Sequence, residues 1–168
     1  MSDLRIAGTV NDSIVDGEGI RFTIFTQGCP HNCKGCHNPQ THDFNGGKIV
    51  NTDELLETIK QNPLLDGVTF SGGEPFCQAK ELAVLGEKIK SLGLNITTYT
   101  GYTFEELYKN RDKNHWGELL SVTDILIDGL FILELKDWTI KFRGSSNQRY
   151  IDCQKSIKEG RTVETEPQ

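Results

Sequence analysis

Several features that would place this 168-residue chain in a membrane or nucleic-acid-binding class are missing from its sequence. No run of about 18 apolar residues occurs, so no transmembrane helix is predicted. The opening residues, Met-Ser-Asp-Leu-Arg, lack the apolar segment of a secretion signal. The net charge of −6 argues against a nucleic-acid footprint, which needs clustered basic residues. We therefore expect a cytoplasmic protein that binds neither membranes nor nucleic acid.

The cysteines are unevenly distributed along the chain. Three of the 5 cysteines, Cys29, Cys33 and Cys36, fall in a C-x3-C-x2-C spacing within the stretch QGCPHNCKGCHNP. Cytosolic thiols stay reduced, so cysteines clustered in this way indicate metal binding or catalysis rather than disulfides. Cys77 and Cys153 lie outside the cluster. We expect the first to be a buried small residue and the second a near-terminal free thiol.

The spacing of the three cysteines leaves more than one metal site open. Soft sulfur ligands select zinc, copper(I) or an iron–sulfur cluster. A structural zinc site needs four ligands, and this loop supplies three sulfurs, although His31 or His37 would complete a Cys3His site. A cubane 4Fe–4S cluster held by three cysteines would leave one iron open to a substrate. The count of ligands favours the cluster.

Hydrophobic periodicity predicts strands that alternate with helices, which indicates a parallel α/β sheet in a single domain over 1–168. The predicted strands cover residues 20–24, 67–70, 94–98, 124–127 and 139–142. The predicted helices begin at Asn51 or Thr52, Pro75, Thr103 and Trp116. We expect residues 1–15 to form an edge element or an ordered N-terminal arm, 42–50 a loop and 151–168 a flexible tail.

Four unusual turns each follow a predicted strand. They are the cysteine loop, Gly72-Gly73-Glu74-Pro75, Thr100-Gly101-Tyr102 and Asp128-Gly129. The carboxyl ends of parallel strands meet at one edge of a sheet, where α/β proteins place their sites. We therefore expect these turns to form one functional site.

The cysteine spacing after the first strand of an α/β chain resembles the signature of the radical S-adenosylmethionine (SAM) superfamily. The wider stretch, DGEGIR and then FTQGCPHNCKGCHNPQT, is similar to the activating enzymes of glycyl-radical proteins. The segment RGSSNQR, Arg143–Arg149, narrows the resemblance to the branch that activates anaerobic ribonucleoside-triphosphate reductases. The match runs from about Val15 to Arg149, with one departure at Glu18, where these enzymes usually have proline.

The resemblance implies a fold and a reaction. The fold would be a shortened, open (β/α) partial barrel with parallel strands. Cys29, Cys33 and Cys36 would bind three irons of a 4Fe–4S cluster, and SAM would chelate the fourth. Reductive cleavage of SAM would yield methionine and a 5′-deoxyadenosyl radical, which would generate a glycyl radical on the large subunit of the reductase. A small flavodoxin-like protein would donate the electron.

The resemblance also implies which residues bind SAM on the side of the glycine–glutamate turn. Gly72, Gly73 and Glu74 resemble the GGEP motif, which binds the amino group of SAM. Glycines allow close backbone approach, and a carboxylate offers a charge-assisted acceptor to an ammonium. An ordinary strand-to-helix turn is the alternative for this segment alone.

Further contacts to SAM are implied around the third cysteine. Relatives often have an aromatic residue where Gly35 stands, so we expect His37 to supply a planar contact. Gly35 and Cys36 would contribute backbone contacts. His31 is expected to pack within the loop, and RGSSNQR to bind the partner or close the site.

Three other functions remain open at this stage. The first is activation of another glycyl-radical enzyme of the pyruvate formate-lyase type, and the second is a small-molecule radical SAM enzyme of the deazapurine-forming kind. The third is a zinc-stabilised binding module, which would have no use for the GGEP turn. A chain this short leaves its barrel open on one side, which favours a macromolecular substrate over a small molecule that must be sealed from water.

Overall fold

The computed structural model describes residues 2–36 and 38–167, and its centre is one seven-stranded sheet. The strands lie in the order β3-β1-β2-β4-β5-β6-β7. Their bounds are β1 Asp3–Ser13, β2 Arg21–Thr26, β3 Lys48–Asn51, β4 Gly67–Gly72, β5 Asn95–Tyr99, β6 Ile125–Asp128 and β7 Arg149–Asp152.

Five α-helices connect or follow these strands: α1 Thr52–Lys60, α2 Ala79–Ser91, α3 Phe104–Lys109, α4 Trp116–Val122 and α5 Cys153–Glu159. Asn51 caps α1, and Thr103 and Glu106 form the expected capping box of α3. A short 3-10 turn, Pro75–Gln78, precedes α2, so the helix begins later than Pro75. None of the helices in the described ranges combines the length and apolar character needed to cross a bilayer.

The parallel strands β2, β4, β5 and β6 confirm the α/β prediction of an open partial barrel. Within the described residues the sheet is open, with β3 and β7 at its two edges. Both ends of the sheet are antiparallel, since β1 pairs with β2 and β3, and β7 pairs with β6. The sequence prediction missed β3, whose four residues carry no alternation, and it did not recognise β1 as a full strand, although Leu4 and Ile6 alternate with polar residues and are buried.

Two predictions in the carboxyl-terminal part of the chain are wrong. Residues 139–142 form no strand, and the last strand is β7 instead. Residues 151–159 are no flexible tail: Ile151 and Cys153 are fully buried, and Asp152 caps α5 through the amide of Lys155. The prediction failed because most residues after Tyr150 are polar, and the few apolar residues that pack into the core were overlooked.

The two faces of the parallel strands differ in chemistry. Phe22, Val68 and Ile96 pair across β2, β4 and β5 and belong to the apolar core beneath the helices. On the other face the buried guanidinium of Arg21 donates to the hydroxyl of Thr69 at 2.7 Å and to backbone carbonyls. Burial lowers the pKa of Arg21. The side of these strands that faces the helices is therefore apolar, and the opposite side holds a buried charge.

Candidate cluster and cofactor site

The cysteine loop begins where β2 ends and is fixed at its base by backbone hydrogen bonds. The amide of Gly28 donates to the carbonyl of Thr41 at 2.6 Å, and that of Cys29 donates to the carbonyl of His42 at 3.2 Å. Thr41 is buried, so the returning chain holds the loop against the sheet. The cysteines are therefore presented at the carboxyl edge.

All three loop cysteines are free and half-buried. Backbone N–H groups of His31 and Asn32 bond to the sulfur of Cys29, and the amide of Asn38 donates to the Cys36 sulfur at 3.4 Å. Burial raises the pKa of Cys29 and of Cys33. N–H groups aimed at sulfur stabilise a thiolate ligand and tune the potential of a cluster.

The donor set of this loop fits an iron–sulfur cluster. Three soft thiols lie on one loop, with backbone donors directed at their sulfurs. Among the side chains that the structure describes, no three of His, Cys, Asp and Glu stand close enough to share a single metal ion. A cubane binds each cysteine to a different iron, so it accepts thiolates that stand farther apart.

The glycine–glutamate turn lies directly against the cysteine loop. The amide of Gly73 donates to the carbonyl of Thr26, and the amide of Glu74 donates to the carbonyl of Gly28, both at 2.8 Å. A Cβ atom on Gly73 would collide with the backbone of Gly28, so only glycine permits this approach. The glycine–glutamate turn after β4 therefore contacts the cysteine loop after β2, as predicted.

Glu74 is fully buried, and its carboxylate joins three of the four turns. It accepts hydrogen bonds from the amides of Phe76 at 3.0 Å and Gly101 at 2.8 Å. The hydroxyl of Thr100 bonds to both carboxylate oxygens at 2.9 Å. His31 Nε2 completes the set at 2.6 Å from Oε1. Sequence reasoning missed this contact of His31, whose only signal was its position between two cysteines.

The fourth turn is fixed by an ion-pair network. The amide of Gly129 donates to the carbonyl of Tyr102 at 2.9 Å, and the amide of Phe104 donates to Asp128 at 2.7 Å. Arg149 bonds to Asp128 and to Glu105, each at 2.6 Å. The hydrogen bond from Arg149 lowers the pKa of Glu105 to about 2. The carboxylate of Asp128 therefore holds the Asp128-Gly129 turn in place through its bonds to Phe104 and Arg149.

The RGSSNQR segment is anchored rather than solvated. The side-chain oxygen of Gln148 accepts from the amides of Gly144 and Ser145, and its nitrogen donates to the carbonyl of Gly129. The amide of Ser146 donates to the carbonyl of Leu135 at 2.8 Å. The segment therefore fastens the preceding residues, 130–138, to the fourth turn.

Residues 130–138, here called the apolar strap, run beside the cysteine loop. A Cβ atom on Gly35 would come within 2.9 Å of the Leu133 side chain, and the backbone of Phe131 bonds to the Cys33 sulfur. Five large apolar side chains of the strap are exposed, with Trp138 at 80%; the others are Leu130, Ile132, Leu133 and Leu135. The loop and the strap form one continuous rim.

The remaining predicted site residues are placed as follows. His37 lies outside the described residues. Gly72 bridges β4 and the glycine–glutamate turn, whereas Gly35 faces the strap. The expectation that Cys77 is buried is wrong, since it is exposed; Cys153 is a free thiol as expected, and it is fully buried. Although the residue as a whole is exposed, neighbouring atoms partly desolvate the Cys77 thiol, and this desolvation, together with nearby Glu74 and Cys29, raises its pKa to about 12.

Comparison with known proteins agrees with this geometry. A family profile described as "4Fe-4S single cluster domain" matches residues 15–151. Anaerobic ribonucleoside-triphosphate reductase-activating proteins from Haemophilus influenzae and Vibrio cholerae are each 35% identical to this chain. Each alignment covers 80% of the chain and 89% of the relative.

This chain belongs to the family of anaerobic ribonucleoside-triphosphate reductase-activating proteins. It contains the 4Fe–4S domain of that family, and it is a radical SAM activating enzyme. The pyruvate formate-lyase-activating enzyme of Clostridium pasteurianum is 38% identical over 117 residues, but the alignment covers 49% of that relative. The match to the reductase activators is therefore the more complete one.

Proposed function

We propose that this protein binds a 4Fe–4S cluster through Cys29, Cys33 and Cys36 and installs a glycyl radical on an anaerobic ribonucleoside-triphosphate reductase. When bound and reduced, the cluster supplies the electron that splits SAM into methionine and a 5′-deoxyadenosyl radical, which takes a hydrogen atom from a glycine of the reductase. A small flavodoxin-like protein supplies that electron from outside. The chain's own residues hold and orient these groups.

The residues at the carboxyl edge have distinct roles in this proposal. The amide groups around the loop stabilise the cysteine thiolates. Glu74 accepts the ammonium of SAM, and Gly72 and Gly73 let the backbone approach it closely. Gly35, Cys36 and His37 contact SAM beside the cluster. Trp116 and Tyr102 pack against each other at 4.9 Å and shield the turn below.

The exposed side chains of the apolar strap favour a polypeptide as the substrate. It exposes Leu133 and Leu135 next to the cysteine loop, although the RGSSNQR segment holds it by several hydrogen bonds. Exposed apolar patches beside a reaction site mark a surface that a partner covers. We assign that partner as the glycine-bearing segment of the reductase, because its glycine must reach the space beside the cluster.

The single observation that carries the proposal is the joining of the cysteine loop to the glycine–glutamate turn through Gly28 and Glu74. This contact supports the proposal because it holds the segment that carries Glu74 against the loop that carries the three cysteines. The relatives named for activation of the reductase match over most of their length, which supports the choice of partner.

The test is anaerobic incubation of the cluster-loaded protein with the reductase, SAM and a reductant, read by electron paramagnetic resonance. We expect a doublet signal from the reductase polypeptide, which disappears when its radical-site glycine is replaced by alanine. A pyruvate formate-lyase-type protein serves as the alternative substrate. A radical on that protein and none on the reductase would contradict the proposed partner while leaving the SAM chemistry intact.

A further inference from the structure

Among the described residues, four donors already bond to the carboxylate of Glu74. A carboxylate offers about four lone-pair sites. Here the amides of Phe76 and Gly101, the hydroxyl of Thr100 and Nε2 of His31 all point at it within 3.0 Å. An ammonium that is to bind Glu74 must therefore replace one of these four donors.

Three of the four donors are fixed. Phe76 and Gly101 donate through backbone amides, which are held by the 3-10 turn and by the turn after β5. Thr100 is buried and in turn accepts a hydrogen bond from the amide of Tyr102 at 3.1 Å. To withdraw any of them would require the turn itself to unfold.

His31 differs from the other donors in position and in attachment. It belongs to the irregular cysteine loop, and its side chain keeps 12% of its surface exposed, whereas Glu74 beneath it has none. Its ring packs edge-on against Tyr102 at 4.6 Å and covers Gly101, where a Cβ atom would come within 2.5 Å of the ring. The imidazole thus lies between Glu74 and solvent, and it is carried by a side chain of the cysteine loop rather than by the turns that hold the other three donors.

We infer that His31 occupies the position on Glu74 that the ammonium of SAM takes, and that the ring must leave before the cofactor binds. This inference rests on the proposed contact between Glu74 and SAM. An imidazole N–H and an ammonium are both donors to a carboxylate, so each satisfies the buried charge in the absence of the other. His31 is therefore a positioning residue: it keeps Glu74 paired in the SAM-free protein and lowers the affinity for SAM.

Two substitutions of His31 separate this role from simple packing. His31→Leu keeps the volume of the ring but removes the donor, which leaves Glu74 short of one partner. His31→Gln keeps a neutral donor that can reach the carboxylate. His42→Ala is the control, because His42 is half-buried on the same returning chain and holds Cys29 only through its backbone carbonyl.

The measurement is the dissociation constant of SAM for cluster-loaded protein, by anaerobic isothermal titration calorimetry, with iron content determined on the same samples. We expect His31→Leu to bind SAM about tenfold more tightly than the unmodified protein, the effect of removing one competing hydrogen bond. His31→Gln and His42→Ala should bind like the unmodified protein. All variants should keep their iron.

Other outcomes would overturn the inference. If His31→Leu binds SAM no more tightly than His31→Gln, the ring does not compete with the ammonium. If both variants lose iron, the role of the ring is to hold the cysteine loop in place and not to occupy Glu74 until SAM binds. Glu74→Gln distinguishes a failure of the Glu74 contact with SAM from a failure of the His31 role. If its SAM affinity is unchanged, the proposed contact with Glu74 fails; if affinity falls while His31→Leu has no effect, only the role of His31 fails.

Discussion

The hydroxyl of Tyr150 donates a hydrogen bond to the carboxylate of Glu18 at 2.8 Å, across 132 positions of sequence. Tyr150 lies in the last strand, and Glu18 lies in the DGEGIR turn, where related enzymes usually have proline. Burial is the largest cause that raises the pKa of Tyr150, and this hydrogen bond is the second largest. The contact therefore fastens the last strand to the turn before β2, a connection that proline could not make.

This hydrogen bond should contribute to stability as a coupled pair. We expect Tyr150→Phe and Glu18→Ala each to lower the free energy of unfolding, with an interaction energy of about 1 kcal/mol in a double-mutant cycle. Urea unfolding of the two single variants and the double variant measures it. Additive effects of the two substitutions would show that the contact contributes nothing of its own.

Loss of any one loop cysteine should abolish the cluster. We expect Cys29→Ser, Cys33→Ser and Cys36→Ser to lose iron, sulfide and visible absorbance after anaerobic reconstitution, because a serine oxygen is a poor ligand for iron in such clusters. Cys77→Ser is the matched control, since Cys77 is exposed and close enough to Cys29 to interact electrostatically. Equal loss of iron in the control would refute the assignment of three ligands.

Glu74→Gln should affect both cofactor binding and folding. The amide removes the charge that attracts an ammonium, so SAM affinity should fall roughly tenfold or more. Its NH2 group also faces fixed donors such as the amides of Phe76 and Gly101, which should cost about 1–3 kcal/mol of unfolding free energy. Glu87→Gln, on the exposed side of α2, is the control for both measurements. Full stability of Glu74→Gln would contradict the hydrogen bonding described.

The Arg149 network predicts a pH dependence. The pKa of Glu105 is lowered to about 2 from an ordinary value near 4.5, chiefly by the hydrogen bond from Arg149. A carboxyl with a lowered folded-state pKa stabilises the fold above its unfolded pKa, and this contribution is lost as the pH falls from about 4.5 toward 2. In Arg149→Met the pKa of Glu105 should return toward 4.5, as measured by carboxyl NMR titration. An unchanged titration would mean that Arg149 is not the cause.

The apolar strap should determine affinity for the reductase. Leu135→Asp places a charge on its exposed surface, and we expect it to weaken binding to the reductase at least tenfold with iron content unchanged. Leu64→Asp is the control, because the Leu64 side chain is more exposed than that of Leu135. Leu64 precedes β4 and therefore lies at the amino ends of the parallel strands, away from the cysteine loop. Anaerobic interferometry measures both. Equal weakening by the two variants would show a general charge effect instead of a docking surface.

The sequence by itself determined the parallel core and the place of the site. Alternating apolar residues in β2, β4, β5 and β6 indicate strands, and turns rich in glycine after each strand must meet at one edge. The spacing of Cys29, Cys33 and Cys36 is a local property of the sequence, so it could be recognised without a structure. Capping of α1 by Asn51 is local in the same way, and the structure confirms it.

Only the tertiary structure decided which partners those residues have. The contact between His31 and Glu74 joins positions 43 residues apart, and that between Glu18 and Tyr150 joins still more distant ones. The short antiparallel strands β3 and β7 exist because they pair with neighbours, and their own four-residue sequences carry no alternation. Local patterns specify local geometry, whereas a buried carboxylate is satisfied by whichever donors the folded chain brings to it.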